Sequence, residues 1–429
     1  MQTYTTVGRF TFEAGERTPV GSVLLEEHLK LTDRSHMAPF AGYLMPLWYS
    51  SISIEHRAVR ESAGLFDCTH MGALEVTGPQ ARPFLNAIST NHVDKLAPGR
   101  ARYGQVLDAA GFVIDDIIIF CRSDDCFMVV VNAANDAKVQ AYFSALTSGK
   151  LVIDPDDEQR TLDHRPAVRD MRNVTMLGDC RVNLALQGPR SVSVLKAAGA
   201  DDALADRLMV LAPFHFVEGE IGGIDCLISR TGYTGAQVGF EVFVHPGRAV
   251  EMWRRLLHKG VPVGLVPCGL GSRDSLRVEA GFPLYGHELA GRHNISPIEA
   301  GYGWAVKLDK PFFIGKTVMA AHAAEYDMQV MRGELPGDKG IRPAKPDDGV
   351  LDANGRCIGW VTSCAHAGRK QCALIYVERG ALREGDAFGV YYAARRSSQA
   401  AQGRKEAVGR DEMLTADISG TVIGRFARF

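Results

Sequence analysis

The sequence predicts an α+β fold of several domains that closes with a small β-barrel. Three observations lead there. With 429 residues the chain exceeds what one hydrophobic core usually supports, so two or three domains are expected. As far as about residue 312, stretches with helical spacing alternate with short β-rich runs. Past Phe313 the composition shifts to short strands punctuated by Gly and Pro turns, the pattern of a small barrel.

The elements follow in order. Residues 1–17 read as a polar N-terminal extension. Apolar residues recur at helical spacing in Leu24 to Leu31 and in Ile54 to Leu65, and Ala73 to Val76 has strand character. Asp115 to Phe120 and Phe127 to Val131 flank the polar turn Ser123-Asp124-Asp125, which predicts a hairpin. Asp136 to Leu146 predicts a helix, with Val139, Tyr142, Phe143 and Leu146 on one face. Residues 148–181 carry an acidic run (PDDEQR) and a basic one (DHRPAVRDMR), so they read as an insertion serving as a lid or an oligomer contact. A second helix-and-strand unit runs from Ser191 to Leu257. Strands are expected at Ile358 to Thr362, Ala373 to Tyr376 and Ala387 to Tyr392.

Composition excludes several classes of function. Forty-eight basic side chains balance fifty acidic ones, so no global field draws the chain to nucleic acid or an anionic membrane. Arg395, Arg396, Arg404, Lys405 and Arg410 form a local basic group that reads as a solvated loop. No apolar run reaches membrane-span length, and the N-terminus lacks the pattern of a secretory signal. Nine scattered cysteines with no C-x-x-C pair fit reduced thiols in a cytoplasm rather than a disulfide framework or a zinc site. Phosphate-loop, zinc-protease and nucleophile-elbow motifs are absent, and Gly269-Leu270-Gly271 has no third glycine to make a dinucleotide fingerprint.

The richest stretch is Cys268 to Lys310, which mixes three arginines, a Gly-Phe-Pro turn, a Tyr-Gly-His-Glu loop and a Ser-Pro-Ile-Glu-Ala-Gly segment. Polar residues so closely mixed with special-backbone residues suggest a site. The run resembles a motif of the aminomethyltransferase family, whose type member is the T-protein of the glycine cleavage system. MAPFAGYLMP (37–46), EHRAVRESAGLFDCTHM (55–71), GFVIDD (111–116), VNAAN (131–135), LQGP (186–189) and SRTGYTG with GFE (229–241) resemble it in the same order. The resemblance implies a three-domain cloverleaf: residues 18–312 as two intertwined folate-binding subdomains, 313–429 as the barrel, and tetrahydrofolate in a central channel.

It also implies site residues. Glu241 would accept the paired amino and ring N–H hydrogens of the pterin, Tyr233 would wall it and Tyr103 would line the folate site. Arg273 would face the folate carboxylate. Here Ala236-Gln237-Val238 places three residues between GYTG and GFE, where the family has two. Arg277 reads as scaffolding paired with Asp274 or Glu279. His92 stands where a T-N-x-V aspartate is expected and Asp108 where asparagine is common. Together they suggest a histidine proton acceptor oriented by an aspartate. The loop Ser363 to Gly368 departs from the family, and Cys364 with His366 makes only a weak nucleophile pair. The function expected is therefore a divergent tetrahydrofolate-dependent demethylase, moving a methyl group from a small-molecule O-, N- or S-methyl donor to folate. Its alternatives are a glycine cleavage aminomethyltransferase, with a lipoyl carrier protein as partner, and a non-catalytic folate-binding protein.

Overall fold

A computed structural model describes residues 8–15, 18–157, 159–175 and 178–427. They form two compact units: Met1–Arg273 with Ala305–Ala320, and Asp274–Trp304 with Ala321–Phe429. The division thus differs from a single break at 312/313. The returning segment is tied into the first unit by Lys310, which is fully buried. Its ammonium donates to the carbonyls of Asn86 (2.5 Å), Ser89 (2.6 Å) and Asn91 (3.0 Å). Burial, only partly offset by the charges of Asp94 and Asp309, pushes this lysine down to about 7.

Two sheets organise the first unit. One has six strands in the order Phe216–Ile221, Ile224–Ser229, Gly239–Val244, Val182–Gln187, Ala63–Cys68 and Leu265–Cys268. The other has five, in the order Arg100–Leu107, Val113–Ser123, Cys126–Val131, Gly72–Thr77 and Ala167–Asp170. Strand alternation gives each sheet two apolar faces. One face of each is covered by helices: Ala81–Ile88 and Asp136–Thr147 on the five-stranded sheet, and Ser191–Ala197, Asp202–Val210 and Ala249–Gly260 on the other. The remaining faces meet. Phe120, Met128 and Val130 pack with Phe216, Leu227 and Phe243, and the Phe120 ring lies 5.4 Å from Phe243.

The second unit holds a closed barrel of Met328–Pro336, Lys370–Glu378, Cys357–Ala367, Gly349–Leu351, Ala387–Tyr391 and Ile418–Ile423. Val350, Ile358, Ile375 and Val390 are among the side chains of its core. The expected α+β architecture with a C-terminal barrel is therefore present. The expected basic group lies in ion pairs for four of its members: Arg395 with Asp348, Arg404 with Asp417, Lys405 with Glu412 and Arg410 with Glu378. Cys364 donates to Gln371, and burial pushes its thiol up to about 12, so it makes no nucleophile with the exposed His366.

Several boundaries differ from the sequence expectation for identifiable reasons. The helix expected over Ile54 to Leu65 runs Ile52–Glu61, and Ala63 already begins a strand in which Leu65 pairs with Leu186. Burying Leu65 between two strands outweighs one more helical turn. Within residues 148–181, Ala167–Asp170 is an edge strand on Gly72–Thr77, with Arg169 paired to Glu75 at 2.9 Å. Sheet pairing, rather than a free lid, fixes this part of the segment. Of the extension, residues 1–7, 16 and 17 lie outside the described residues. Phe10 is buried in the first unit's core, so residues 8–15 are not merely a polar tail.

Candidate active site

The space between the two facing sheets collects most of the expected site residues. Glu241 alternates with Phe243 on strand Gly239–Val244, so both side chains take the inner face of the six-stranded sheet. One Glu241 oxygen accepts from the Asn183 amide at 2.8 Å, and the other accepts from the Thr231 hydroxyl. The loop before this strand is held by Gln187, which donates to the carbonyls of Thr231 (3.2 Å) and Phe240 (3.3 Å) and accepts from Thr234 (2.8 Å). A Cβ on Gly232 would meet Gln187 Oε1 at 2.1 Å, so the glycine of GYTG is required by this close approach.

Arg273 sits in the first turn of helix Leu270–Ala280, and its guanidinium lies 5.3 Å from the centre of the Tyr233 ring. It donates to Cys68 Sγ at 3.1 Å. Burial, only partly offset by this guanidinium, pushes the Cys68 thiol up to about 12, so Cys68 is a neutral neighbour of the arginine. The helix start is tethered by the fully buried Glu55, whose carboxylate accepts from Gly269 N–H and Ser272 Oγ, both at 2.9 Å. Arg277 is buried and donates to Asp274 (2.8 Å) and Glu288 (2.6 Å), which is the scaffolding role expected of it.

The facing sheet supplies a second carboxylate site that the sequence reading passed over. Asp115 and Asp116 are adjacent in strand Val113–Ser123, so alternation sends Asp115 to the helix-covered core and Asp116 to the inner face. Asp116 accepts from the Tyr103 hydroxyl at 3.1 Å and the Asn132 amide at 2.7 Å. Asp115 accepts from the same Asn132 amide (2.8 Å), from Asn132 N–H (2.9 Å) and from Asn135 (2.6 Å). Burial raises both carboxyls above the usual range, and the charge of Asp116 raises Asp115 further, to about 7. Two acids side by side in an otherwise apolar strand were the available signal, since alternation must bury one of them.

His92 and Asp108 are not brought together. His92 Nδ1 lies 3.1 Å from Asp94, and Nε2 lies 3.1 Å from Asp309. Asp108 accepts from Phe10 N–H at 3.0 Å and from Phe112 N–H at 2.9 Å, closing a turn. Burial pushes its carboxyl up to about 6 against these N–H groups. The expected orienting role of Asp108 toward His92 is thereby corrected: its two oxygens serve the backbone.

Among the described residues no cluster of three or more His, Cys, Asp or Glu is arranged to hold a metal, and no helix is long and apolar enough to cross a membrane. The inner faces therefore offer carboxylates at two places, an aromatic wall with a guanidinium and a phenol. This set suits a flat, nitrogen-rich ligand carrying a carboxylate tail.

Comparison with known proteins shows the family and the fold. The aminomethyltransferase of Halalkalibacterium halodurans is 41% identical over 326 residues, covering 76% of this chain and 80% of the relative. That of Desulforamulus reducens is 37% identical over 366 residues, covering 85% and 90%. The crystal structure of the glycine cleavage system aminomethyltransferase T from Bartonella henselae superposes with a TM-score of 0.72 at 27% identity, covering 94% of this chain and 96% of that one. The profile of the GCVT N-terminal domain matches residues 27–310, and the chain belongs to that family.

Proposed function

We propose that the chain is a tetrahydrofolate-dependent aminomethyltransferase, which passes the carbon of an aminomethyl group on a lipoyl carrier protein to tetrahydrofolate. The observation that carries the reading is the pair of facing carboxylate sites, Glu241 beside Arg273 and Tyr233 on one side and Asp116 with Tyr103 and Asn132 on the other. The name borne by relatives at 37–41% identity supports it. Tetrahydrofolate supplies the nucleophilic nitrogen and carries the carbon away. Glu241 holds the pterin edge, Tyr233 flanks it, and Arg273 faces the folate carboxylate. Asp116 stands ready to take the proton that the attacking nitrogen loses, with Tyr103 and Asn132 fixing its two oxygens.

The demethylase reading gave that proton to His92, backed by Asp108. Each of those side chains has other partners, so the methyl-transfer route loses its premise. The test is anaerobic incubation with tetrahydrofolate and aminomethylated lipoyl carrier protein. Methylene-tetrahydrofolate and ammonia are the expected products. Methyl-tetrahydrofolate from a small methyl donor, with nothing formed from the carrier, would overturn the proposal.

A further inference from the structure

Asn183 lies on strand Val182–Gln187, directly across from Cys68 on one side and Phe243 on the other. It therefore shares the inner face with Glu241, one pleat away, where Ala185 stands opposite Glu241. Asn183 is 3% exposed, the one polar side chain in an otherwise apolar run, Val182 to Leu186. Its amide nitrogen donates to Glu241 Oε1 at 2.8 Å. A carboxylate accepts from that nitrogen, which fixes the amide's orientation and leaves Oδ1 as the free end. Oδ1 is buried and has no hydrogen-bond partner among the described residues. A buried acceptor without a donor is costly, so this oxygen implies a donor that arrives from outside the chain.

We infer that Asn183 Oδ1 is a further binding residue of the site, accepting an N–H from a 2-amino-4-oxo heterocycle held by Glu241. The inference rests on the folate reading and deepens it. An exocyclic amine has two hydrogens. A paired contact with a carboxylate uses one of them together with the ring N–H, and the second projects to the side. With Asn183 at Oε1 and Thr231 at Oε2, the amine lies at the Asn183 end and the ring N–H at the Thr231 end. Asn183 thus reads the amine itself, and a heterocycle without that amine leaves a buried amide oxygen unpaired.

The experiment compares binding of tetrahydrofolate and of its 2-desamino-2-methyl analogue to wild type, Asn183→Leu and Glu241→Ala, by anaerobic calorimetry. Using the ratio of the two affinities within each protein removes any general weakening caused by the substitution, and thermal unfolding confirms that each variant is folded. Wild type should prefer tetrahydrofolate, and Asn183→Leu should lower that preference by about 3- to 10-fold, the worth of one hydrogen bond. An unchanged preference in Asn183→Leu, with Glu241→Ala strongly weakened, overturns the inference alone and assigns Oδ1 to a water. Full binding by Glu241→Ala overturns the placement of the heterocycle at Glu241 and the inference with it, and absence of tetrahydrofolate binding by wild type overturns the folate reading itself.

Discussion

If Asp116 takes the proton, replacing it with asparagine removes the accepting group while keeping its shape and one acceptor oxygen. General acid–base groups contribute about 100- to 10,000-fold, so turnover of Asp116→Asn should fall by that order. His92→Asn, by contrast, should stay within a few-fold. Asp116 must be ionised to accept, and its carboxyl is raised by burial. The wild-type rate should therefore rise with pH through a limb shifted toward neutrality. Burial and the charge that Asp116 then carries raise Asp115, to about 7. One oxygen of each carboxylate receives a hydrogen bond from the Asn132 amide nitrogen, at 2.8 and 2.7 Å, so the two oxygens are no farther apart than the sum of those distances. Two charges at about 5 Å in a medium of effective dielectric about 20 repel by roughly 3 kcal/mol, equivalent to about two pH units. That repulsion falls on Asp115, which stays protonated while Asp116 ionises, so Asp115→Asn exchanges a neutral acid for a neutral amide and should leave the rate limb in place. The assay is single-turnover formation of methylene-tetrahydrofolate between pH 5 and 9. Full turnover in Asp116→Asn, or a limb that moves by about one pH unit or more in Asp115→Asn, would refute the reasoning.

Two further outcomes are expected. Glu241→Ala removes a charged partner from the ligand and leaves the Asn183 amide and Thr231 hydroxyl without their acceptor, so tetrahydrofolate affinity should fall by about 30- to 1000-fold, read by calorimetry. Asp108→Asn should leave turnover within a few-fold and alter the pH dependence of stability instead. A carboxyl held near 6 in the folded chain and near 3.9 when unfolded contributes fully below about pH 4 and loses its contribution as pH rises to about 6, up to roughly 3 kcal/mol. Chemical denaturation of wild type and variant should show that difference, and a flat difference over pH 4–7 would contradict it.

The expectations that survived are those in which local sequence and tertiary environment demand the same thing. The hairpin around Ser123-Asp124-Asp125 needed only a polar turn between β-rich runs, and strands Val113–Ser123 and Cys126–Val131 pair across it. Glu241, Tyr233 and Arg273 stood in recognisable motifs, and the structure places Tyr233 beside Arg273, and Glu241 on the inner sheet face, while their roles toward a ligand are proposed. Asp108 misled because Leu-Asp-Ala-Ala-Gly looks the same whether its carboxylate faces a ligand or caps its own turn, and only the N–H groups of Phe10 and Phe112 decide between them. Strand Ala63–Cys68 was hidden because helix and strand join within Ser62, and helical spacing carries across such a join unnoticed.

Asn183 marks the limit most sharply. In sequence it is one polar residue in an apolar run, 58 positions from Glu241, and no spacing rule links the two. What links them is register. Val182–Gln187 lies between Ala63–Cys68 and Gly239–Val244, and a slip of one residue would turn Asn183 out of the inter-sheet space and into the helix-covered core. There an amide would replace Leu184 among apolar side chains, at a cost of about 1–3 kcal/mol for each unpaired polar group. The same residue therefore disfavours the wrong register and completes the polar edge at Glu241. Its role becomes legible only once the pairing of three strands is known.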